Sequence, residues 1–282
     1  MTPIVDCHTH THFSDGTSTF EENVRAAAAA GCAVLVSTDH LTLPASMDPT
    51  GEAQVVESDL AAHRAAFEEA RALAGRLDGG PELVYGFECD WYVGCEPLVE
   101  RWSAGAVVRL GSVHWIGDPV RAGDDVGWID YAADLHVWRA LGPDEVWRRY
   151  ADAWCAACES PLAFDSMAHP DLAMRFAREG LAPMIDLVPL WDRMVSCARD
   201  TGRRVELSTA GLRKSVADYY PTRGLLERFA AAGVPLTVGS DAHCAPDVCW
   251  GVGEAYAHAA RCGYRCVEVP HADGDWETVA LA

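Results

Sequence analysis

Short apolar runs alternate with amphipathic helical stretches along almost the whole chain, and this order restricts the fold more than any other feature. Strand-like runs fall at residues 4–7, 33–38, 82–88, 107–113, 162–167, 204–207, 236–239 and 264–267. Helical stretches lie at 20–30, 54–77, 95–102, 144–158, 183–200, 222–232 and 248–261. Gly31, Gly202, Gly233 and Gly263 each follow a helical stretch and precede a strand, where a residue tolerant of left-handed backbone ends a helix. Strand then helix, repeated, implies parallel strands with helices outside. Seven or eight such units in 282 residues point to an α/β fold closed into a TIM-like barrel, with one domain spanning 1–282. Two stretches break the rhythm as loop insertions, near 41–53 and 116–142. Both follow strands, on the side where parallel barrels build their sites, and are expected to wall a pocket.

The strand ends carry the chemistry. After the first run come His8 and His10, two residues apart and therefore on one face of a strand, and then Asp15 in the loop. Thr38-Asp39-His40 follows the second run, Gly86-Phe87-Glu88 ends the third and Gly111-Ser112-Val113-His114 ends the fourth. Ala168-His169-Pro170-Asp171 follows the fifth, and Gly239-Ser240-Asp241-Ala242-His243 is the last of the set. Any one of these histidines alone reads as a satisfied rim or core residue. Six histidines and three carboxylates at corresponding ends of six strands instead converge on one rim if the strands are parallel. Imidazole and carboxylate without thiolate suit zinc, manganese or iron. Nine such groups exceed the needs of one ion and fit two or three, with Glu88 the expected bridge. Paired ions about 3.5–4 Å apart activate water and hold both the entering and the leaving oxygen of a phosphoryl transfer.

Net charge is −20, with 22 Lys and Arg against 42 Asp and Glu. Such a surface repels nucleic acid and anionic membranes. The chain opens with no cationic, apolar leader, and no apolar run reaches the length of a membrane span, so a cytoplasmic location is expected. The 11 cysteines lack the spacing of a disulfide scaffold and are expected mostly as buried thiols. Cys155-Ala156-Ala157-Cys158 has redox-motif spacing but lies inside a helical stretch, which makes core packing its expected role.

Taken as a set, Asp6-Cys7-His8-Thr9-His10, Thr38-Asp39-His40, Gly86-Phe87-Glu88, Ser112-Val113-His114, His169-Pro170-Asp171-Leu172 and Ser240-Asp241-Ala242-His243 resemble the signature of the polymerase-and-histidinol-phosphatase (PHP) family. The resemblance spans residues 6–250 and implies a distorted (β/α)7 barrel with two or three divalent ions at the C-terminal ends of its strands. It implies one ion on His8, His10, Glu88 and Asp241, a second on Glu88, His114 and His169, and a third on Asp15, His40 and His243. Where the family often has histidine in the loop after His-x-His, this chain has Asp15, and His12 competes for that role. Asp39 is expected behind the ligands or as a strand-end cap.

The segment from Glu206 through Ser208-Thr209-Ala210-Gly211-Leu212-Arg213-Lys214, with Tyr220-Pro221 after it, resembles the histidinol-phosphatase branch of that family. A guanidinium on a catalytic rim holds two phosphate oxygens in a fixed fork. Arg213 is therefore the expected clamp, with Lys214 and Arg175 as further phosphate-binding cations. The implied reaction is hydrolysis of a small phosphorylated substrate, L-histidinol phosphate, by a metal-bridging hydroxide. Arg213 would assist, and Asp241, His243 or a metal-bound water would donate the proton to the leaving alkoxide, a choice the sequence leaves open. Glu96, Asp124, Asp125 and Asp130 could meet the substrate's cationic groups, with surface charge the plainer role for each. The rival readings are a related phosphoesterase acting on a nucleotide or other small ester, a non-catalytic metal-binding module, and a thiol oxidoreductase; a pocket lined by Trp115, Trp128 or Tyr131 would fit histidinol phosphate and the other esters alike. The sequence leaves the oligomeric state open.

Overall fold

The computed structural model describes residues 2–119 and 123–281, so residues 120–122 of the second expected insertion lie outside the described residues, as do both terminal residues. In chain order the elements are β1 (Ile4–Asp6), α1 (Phe20–Ala29), β2 (Cys32–Ser37), β3 (His40–Leu41), α2 (Leu60–Ala74), β4 (Glu82–Asp90) and α3 (Glu96–Trp102). Then come β5 (Val108–Ser112), β6 (Trp115–Ile116), β7 (Gly127–Trp128), α4 (His136–Leu141), α5 (Pro143–Glu159), β8 (Ser166–Met167) and α6 (Val188–Thr201). β9 (Arg204–Ser208), α7 (Arg223–Ala231), β10 (Leu236–Gly239), α8 (Val252–Arg261), β11 (Cys266–Pro270) and β12 (Trp276–Ala280) complete the chain.

The strands pair in parallel in the order β1-β2-β4-β5-β8-β9-β10. The last meets the first where Cys7 N–H donates to Val238 O at 3.0 Å and Thr9 bridges Ala242 in parallel. The result is a nearly closed barrel of seven strands with helices outside. β3 resumes the course of β2 after Thr38-Asp39 and sets His40 opposite Glu88 on β4, while β5 sets Leu110 opposite the same glutamate. Glu88 thus stands at the centre of the sheet by register alone.

Local chemistry explains the boundaries. At the start of α1 the Thr19 hydroxyl accepts from Glu22 N–H at 3.2 Å and the Glu22 carboxylate accepts from Thr19 N–H at 2.8 Å, a reciprocal cap worth about 1 kcal/mol. α6 ends on Gly202 in the left-handed region, φ 70°. α5 buries Trp147, Tyr150 and Trp154 completely. Cys155 and Cys158 are buried on the same helix, and burial pushes the Cys158 thiol up to about 11, so this pair packs the core and lacks a reactive thiolate. All 11 cysteines are free. Among the described residues no helix is long and apolar enough to cross a membrane.

Three expectations change. The expected strand at 264–267 does not join the barrel: β11 pairs antiparallel with β12 as a separate hairpin. The expected strand at 162–167 contracts to β8, because the Arg203 guanidinium takes the carbonyls of Ser160, Leu162 and Phe164 that a ladder would have used. The expected helix at 54–77 shortens to α2: Val55 N–H donates to His40 O at 2.9 Å and the Gln54 amide to Leu43 O at 2.9 Å, tying residues 54–55 back to the strand end. The second insertion also holds α4, whose Trp138 is 1% exposed and donates to Ile129 O at 3.1 Å.

Candidate metal centre

The rim at the C-terminal strand ends brings all nine sequence-predicted ligands together. Glu88 is 1% exposed and its two oxygens divide the group. Oε2 lies 3.1 Å from His8 Nε2, 3.4 Å from His10 Nε2 and 3.2 Å from His40 Nδ1. Oε1 lies 2.8 Å from His169 Nε2 and 3.5 Å from His114 Nε2. Asp241 Oδ1 closes one side, 3.3 Å from His10 Nε2 and 3.7 Å from His8 Nε2. It emerges from a turn in which Asp241 itself takes φ 52°, a conformation a non-glycine residue adopts at a cost. Asp15 lies 3.2 Å from His243 Nε2, 3.7 Å from His40 Nε2 and 3.8 Å from His10 Nδ1. Of the two competitors for the loop position it is Asp15 that faces the rim; His12 is exposed and packs its ring against Phe13.

The electrostatics ask for cations. Burial opposes charge on Glu88, yet His8, His40 and His114 around it hold its carboxyl well below the usual range. Burial likewise opposes charge on Asp241, and His8 and His10 override it. Burial disfavours the charged form of His114, but Glu88 and Asp90 raise it to about 9; burial, then the neighbouring His243, lowers His10 to about 4. His8 Nε2, both ring nitrogens of His10 and His169 Nδ1 are buried without a hydrogen-bond partner. The Nε2 atoms of His114 and His169 face each other at 3.2 Å beside Glu88. Orphaned ring nitrogens and opposed lone pairs around buried carboxylates are what a divalent-ion site leaves when its geometry is described without the ion. The residues therefore fit the metals that the motifs imply. His10, Asp15, His40 and His243 form one set of potential ligand atoms within reach of a common ion, and His8, His10 and Asp241 form another.

A cavity of about 770 Å³ opens over this rim. Leu43, Met47 and Asp48 from the first long loop and Trp128, Asp130 and Tyr131 from the second line it, with Glu88, His114, His169, Asp241 and His243. Trp115 is instead buried beneath Trp128, its ring 5.7 Å away. Of the three expected phosphate-binding cations, Lys214 and Arg175 line the cavity. Arg175 Nη1 is oriented by Ser215 Oγ at 2.6 Å. Arg213 departs from its expected place: it is not among the lining side chains. Its Nη2 donates to the carbonyls of Ser240 at 2.8 Å and Asp241 at 3.0 Å, its Nη1 to Thr209 Oγ1 at 3.3 Å, and its Nε pairs with Asp247 at 3.1 Å. Every nitrogen of the fork is engaged behind Asp241. Asp130 alone of the four loop acids reaches the cavity; its Oδ1 is buried without a partner and burial raises its pKa.

Three groups near the rim escaped the sequence reading. Asp90 lies two residues beyond Glu88 on β4, a same-face spacing that could have revealed it, and it meets His114 and His40. Glu206, the one carboxylate inside β9, meets His8. His63 on α2 meets Asp39, which is held down to about 2 because His63 and its hydrogen bonds outweigh burial. Asp39 accepts from Thr11 N–H at 2.6 Å, Thr11 Oγ1 at 2.8 Å and Ser14 Oγ at 2.6 Å, so it fastens the turn that presents Asp15.

The sequence and the fold are similar to those of known proteins. A "Probable histidinol-phosphatase" from Deinococcus radiodurans is 30% identical over 284 aligned positions, covering 96% of this chain and 98% of that protein. The histidinol phosphate phosphatase HisK of Lactococcus lactis, solved with zinc, L-histidinol and phosphate, superposes with a TM-score of 0.72 at 18% identity over 97% of this chain and 98% of that one. The HisK protein of Listeria monocytogenes gives a TM-score of 0.78 at 19% identity, covering 89% of this chain and 99% of that one. At those identities the two structures speak for the fold. The model of the PHP domain matches residues 6–210, most of the strand-end ligands among them, and the chain belongs to the PHP domain family.

Proposed function

We propose that this protein is a metal-dependent phosphomonoesterase acting on L-histidinol phosphate in the cytoplasm. The observation that carries the reading is one cavity that holds a histidine–carboxylate rim, two cations, Arg175 and Lys214, and the half-buried Asp130, whose Oδ1 is buried without a hydrogen-bond partner. Histidinol phosphate is built to match, with a phosphate at one end and an ammonium and an imidazole at the other. The full-length likeness to a histidinol-phosphatase supports the same substrate.

Two or three divalent ions, zinc, manganese or iron, held by His8, His10, Asp15, His40, Glu88, His114, His169, Asp241 and His243, supply Lewis-acid stabilisation and a nucleophilic water at neutral pH. The chain does the rest. Arg175 and Lys214 draw an anion into a protein whose overall field repels one, and offset the phosphate's charge. Asp130 gains an ion pair from the substrate's ammonium, which relieves the cost of burying its own charge. Leu43, Met47 and Leu172 displace water from the apolar part of the substrate. Asp241 and His243 line the cavity beside the rim; Asp241 is held ionised, so the proton for the leaving alkoxide would come from His243 or from water at the rim. Arg213 serves this step from behind, by holding the carbonyls of Ser240 and Asp241.

The exposed ring of Tyr131 and the half-buried Trp128 favour a second reading, a nucleoside monophosphate stacked in the same cavity. Initial rates with L-histidinol phosphate, a nucleoside monophosphate and p-nitrophenyl phosphate decide between them. A kcat/KM at least a hundredfold higher for histidinol phosphate is expected; equal or greater efficiency with the nucleotide rejects the substrate assignment.

A further inference from the structure

We propose that Glu206 and Asp90 are positioning residues that fix the ring orientation of the rim histidines and tie neighbouring ion sites together in pairs. The inference rests on the metal reading of the rim given above. Glu206 is 1% exposed on β9. Its Oε1 lies 2.9 Å from His8 Nδ1, and its Oε2 accepts from the backbone N–H of His169 at 2.8 Å. One carboxylate therefore grips a ligand of the His8–His10–Asp241 group by its ring and a ligand of the Glu88–His114–His169 group by its backbone. That backbone is in an unusual conformation, with His169 at φ 25°.

Asp90, fully buried on β4, repeats the arrangement three strands around the barrel. Its Oδ1 lies 2.5 Å from His114 Nδ1 and its Oδ2 lies 3.0 Å from His40 Nδ1. It joins the Glu88–His114–His169 group to the Asp15–His40–His243 group. The two carboxylates make a chain through all three groups.

The chemistry of the contact decides what they do. A carboxylate accepting from Nδ1–H leaves the Nε2 lone pair free and fixes the plane of the ring. The freed atoms point where a ligand should: His8 Nε2 is 3.1 Å from Glu88 Oε2, His114 Nε2 is 3.5 Å from Glu88 Oε1 and His40 Nε2 is 3.7 Å from Asp15. The backbone is cut back to admit the first pair. A Cβ at Gly239 would run into Glu206 Oε1 and stand 2.6 Å from His8 Cβ, so only glycine leaves room for the Glu206–His8 contact. The ionic partners of these carboxylates are the rim histidines themselves.

Two measurements test this. In zinc-loaded, 15N-histidine-labelled protein, long-range NMR correlations should show Nδ1 protonated and Nε2 ligating for His8, His40 and His114. Ligation through Nδ1, which would make Asp90 a direct ligand, overturns the assignment without any variant. The near-isosteric Glu206→Gln and Asp90→Asn variants are then stripped of metal, checked by thermal melting against stripped wild type, and titrated with zinc in competition with a chromogenic chelator. Each should bind two of its ions about tenfold or more weakly. Glu206→Gln should spare the ion on Asp15, His40 and His243, and Asp90→Asn the ion on His8, His10 and Asp241. Wild-type affinity at every site in either variant overturns the proposal. A wild-type protein that takes up no zinc removes the metal reading first, and this inference with it.

Discussion

Replacing His63 by leucine isolates a fully buried contact that supports the rim without touching it. His63 and Asp39 are both fully buried, 3.0 Å apart, and His63 Nδ1 lies 2.9 Å from Tyr85 Oη. Leucine preserves the apolar contacts with Phe20 and Phe87, whose rings lie 5.0 and 5.1 Å from the imidazole, so little volume is lost. What is lost is the ring nitrogen that faces the Asp39 carboxylate. Leaving a buried carboxylate short of one hydrogen-bond partner costs about 1–3 kcal/mol. The three remaining bonds from Thr11 and Ser14 place this case at about 2 kcal/mol. For a chain of 282 residues that is a fall in Tm of about 3–4 °C. Thermal and urea melts of metal-free protein measure it. Adding Asp39→Asn to His63→Leu removes the stranded charge, so the two changes should couple by about 1 kcal/mol or more in a double-mutant cycle. A His63→Leu protein melting within a degree of wild type, or strictly additive changes, would refute the reasoning. Zinc binding should follow, with the ion on Asp15 loosened first because Asp39 fastens the turn that presents it.

Arg175→Ala and Lys214→Ala should each raise KM for a phosphomonoester by roughly tenfold with kcat little changed, as expected for loss of a charged hydrogen bond worth about 1.5 kcal/mol. Arg213→Ala should instead lower kcat and metal content together; a pure rise in KM at full metal content would return Arg213 to the phosphate. Asp130→Asn should lower kcat/KM for histidinol phosphate by about tenfold and leave p-nitrophenyl phosphate within twofold, since only the first carries an ammonium. On the barrel's far side, the hydrogen bond to Glu82 raises the pKa of His271 above its usual value. The stability from that pair is complete below the ordinary histidine pKa and fades as pH rises through the raised value. His271→Ala should cost about 0.5 kcal/mol in urea melts at pH 5.5 and nothing at pH 9, the pair being partly exposed.

Most of the candidate ligands were legible because they sit one or two residues beyond an apolar run, where neither periodicity nor packing needs a histidine. His8, His40, His114, His169 and Asp241 could be named for that reason, and Glu88 because it is the charged residue that closes its run. Glu206 and Asp90 lie inside strands, and only the register of β4 against its neighbours and of β9 against β10 shows what they face. His63 was hidden in a helix face whose spacing marks burial but not partner. The motif and the guanidinium of Arg213 point to an anion clamp; the carbonyls of Ser240 and Asp241, close only in the folded chain, take donors of that guanidinium. Among the strands, 162–167 read as continuous because its composition is apolar. An arginine forty residues away, Arg203, satisfies those carbonyls in place of a ladder, and no local pattern announces that. The terminal run at 264–267 kept the rhythm of the barrel, but its partner is the following β12.

The most direct test is phosphate release from L-histidinol phosphate by protein stripped of metal with a chelator, dialysed, and then reloaded with zinc or manganese. The account predicts no turnover by the stripped protein and recovery on reloading with two or three equivalents. Release at an undiminished rate by stripped, metal-free protein contradicts it.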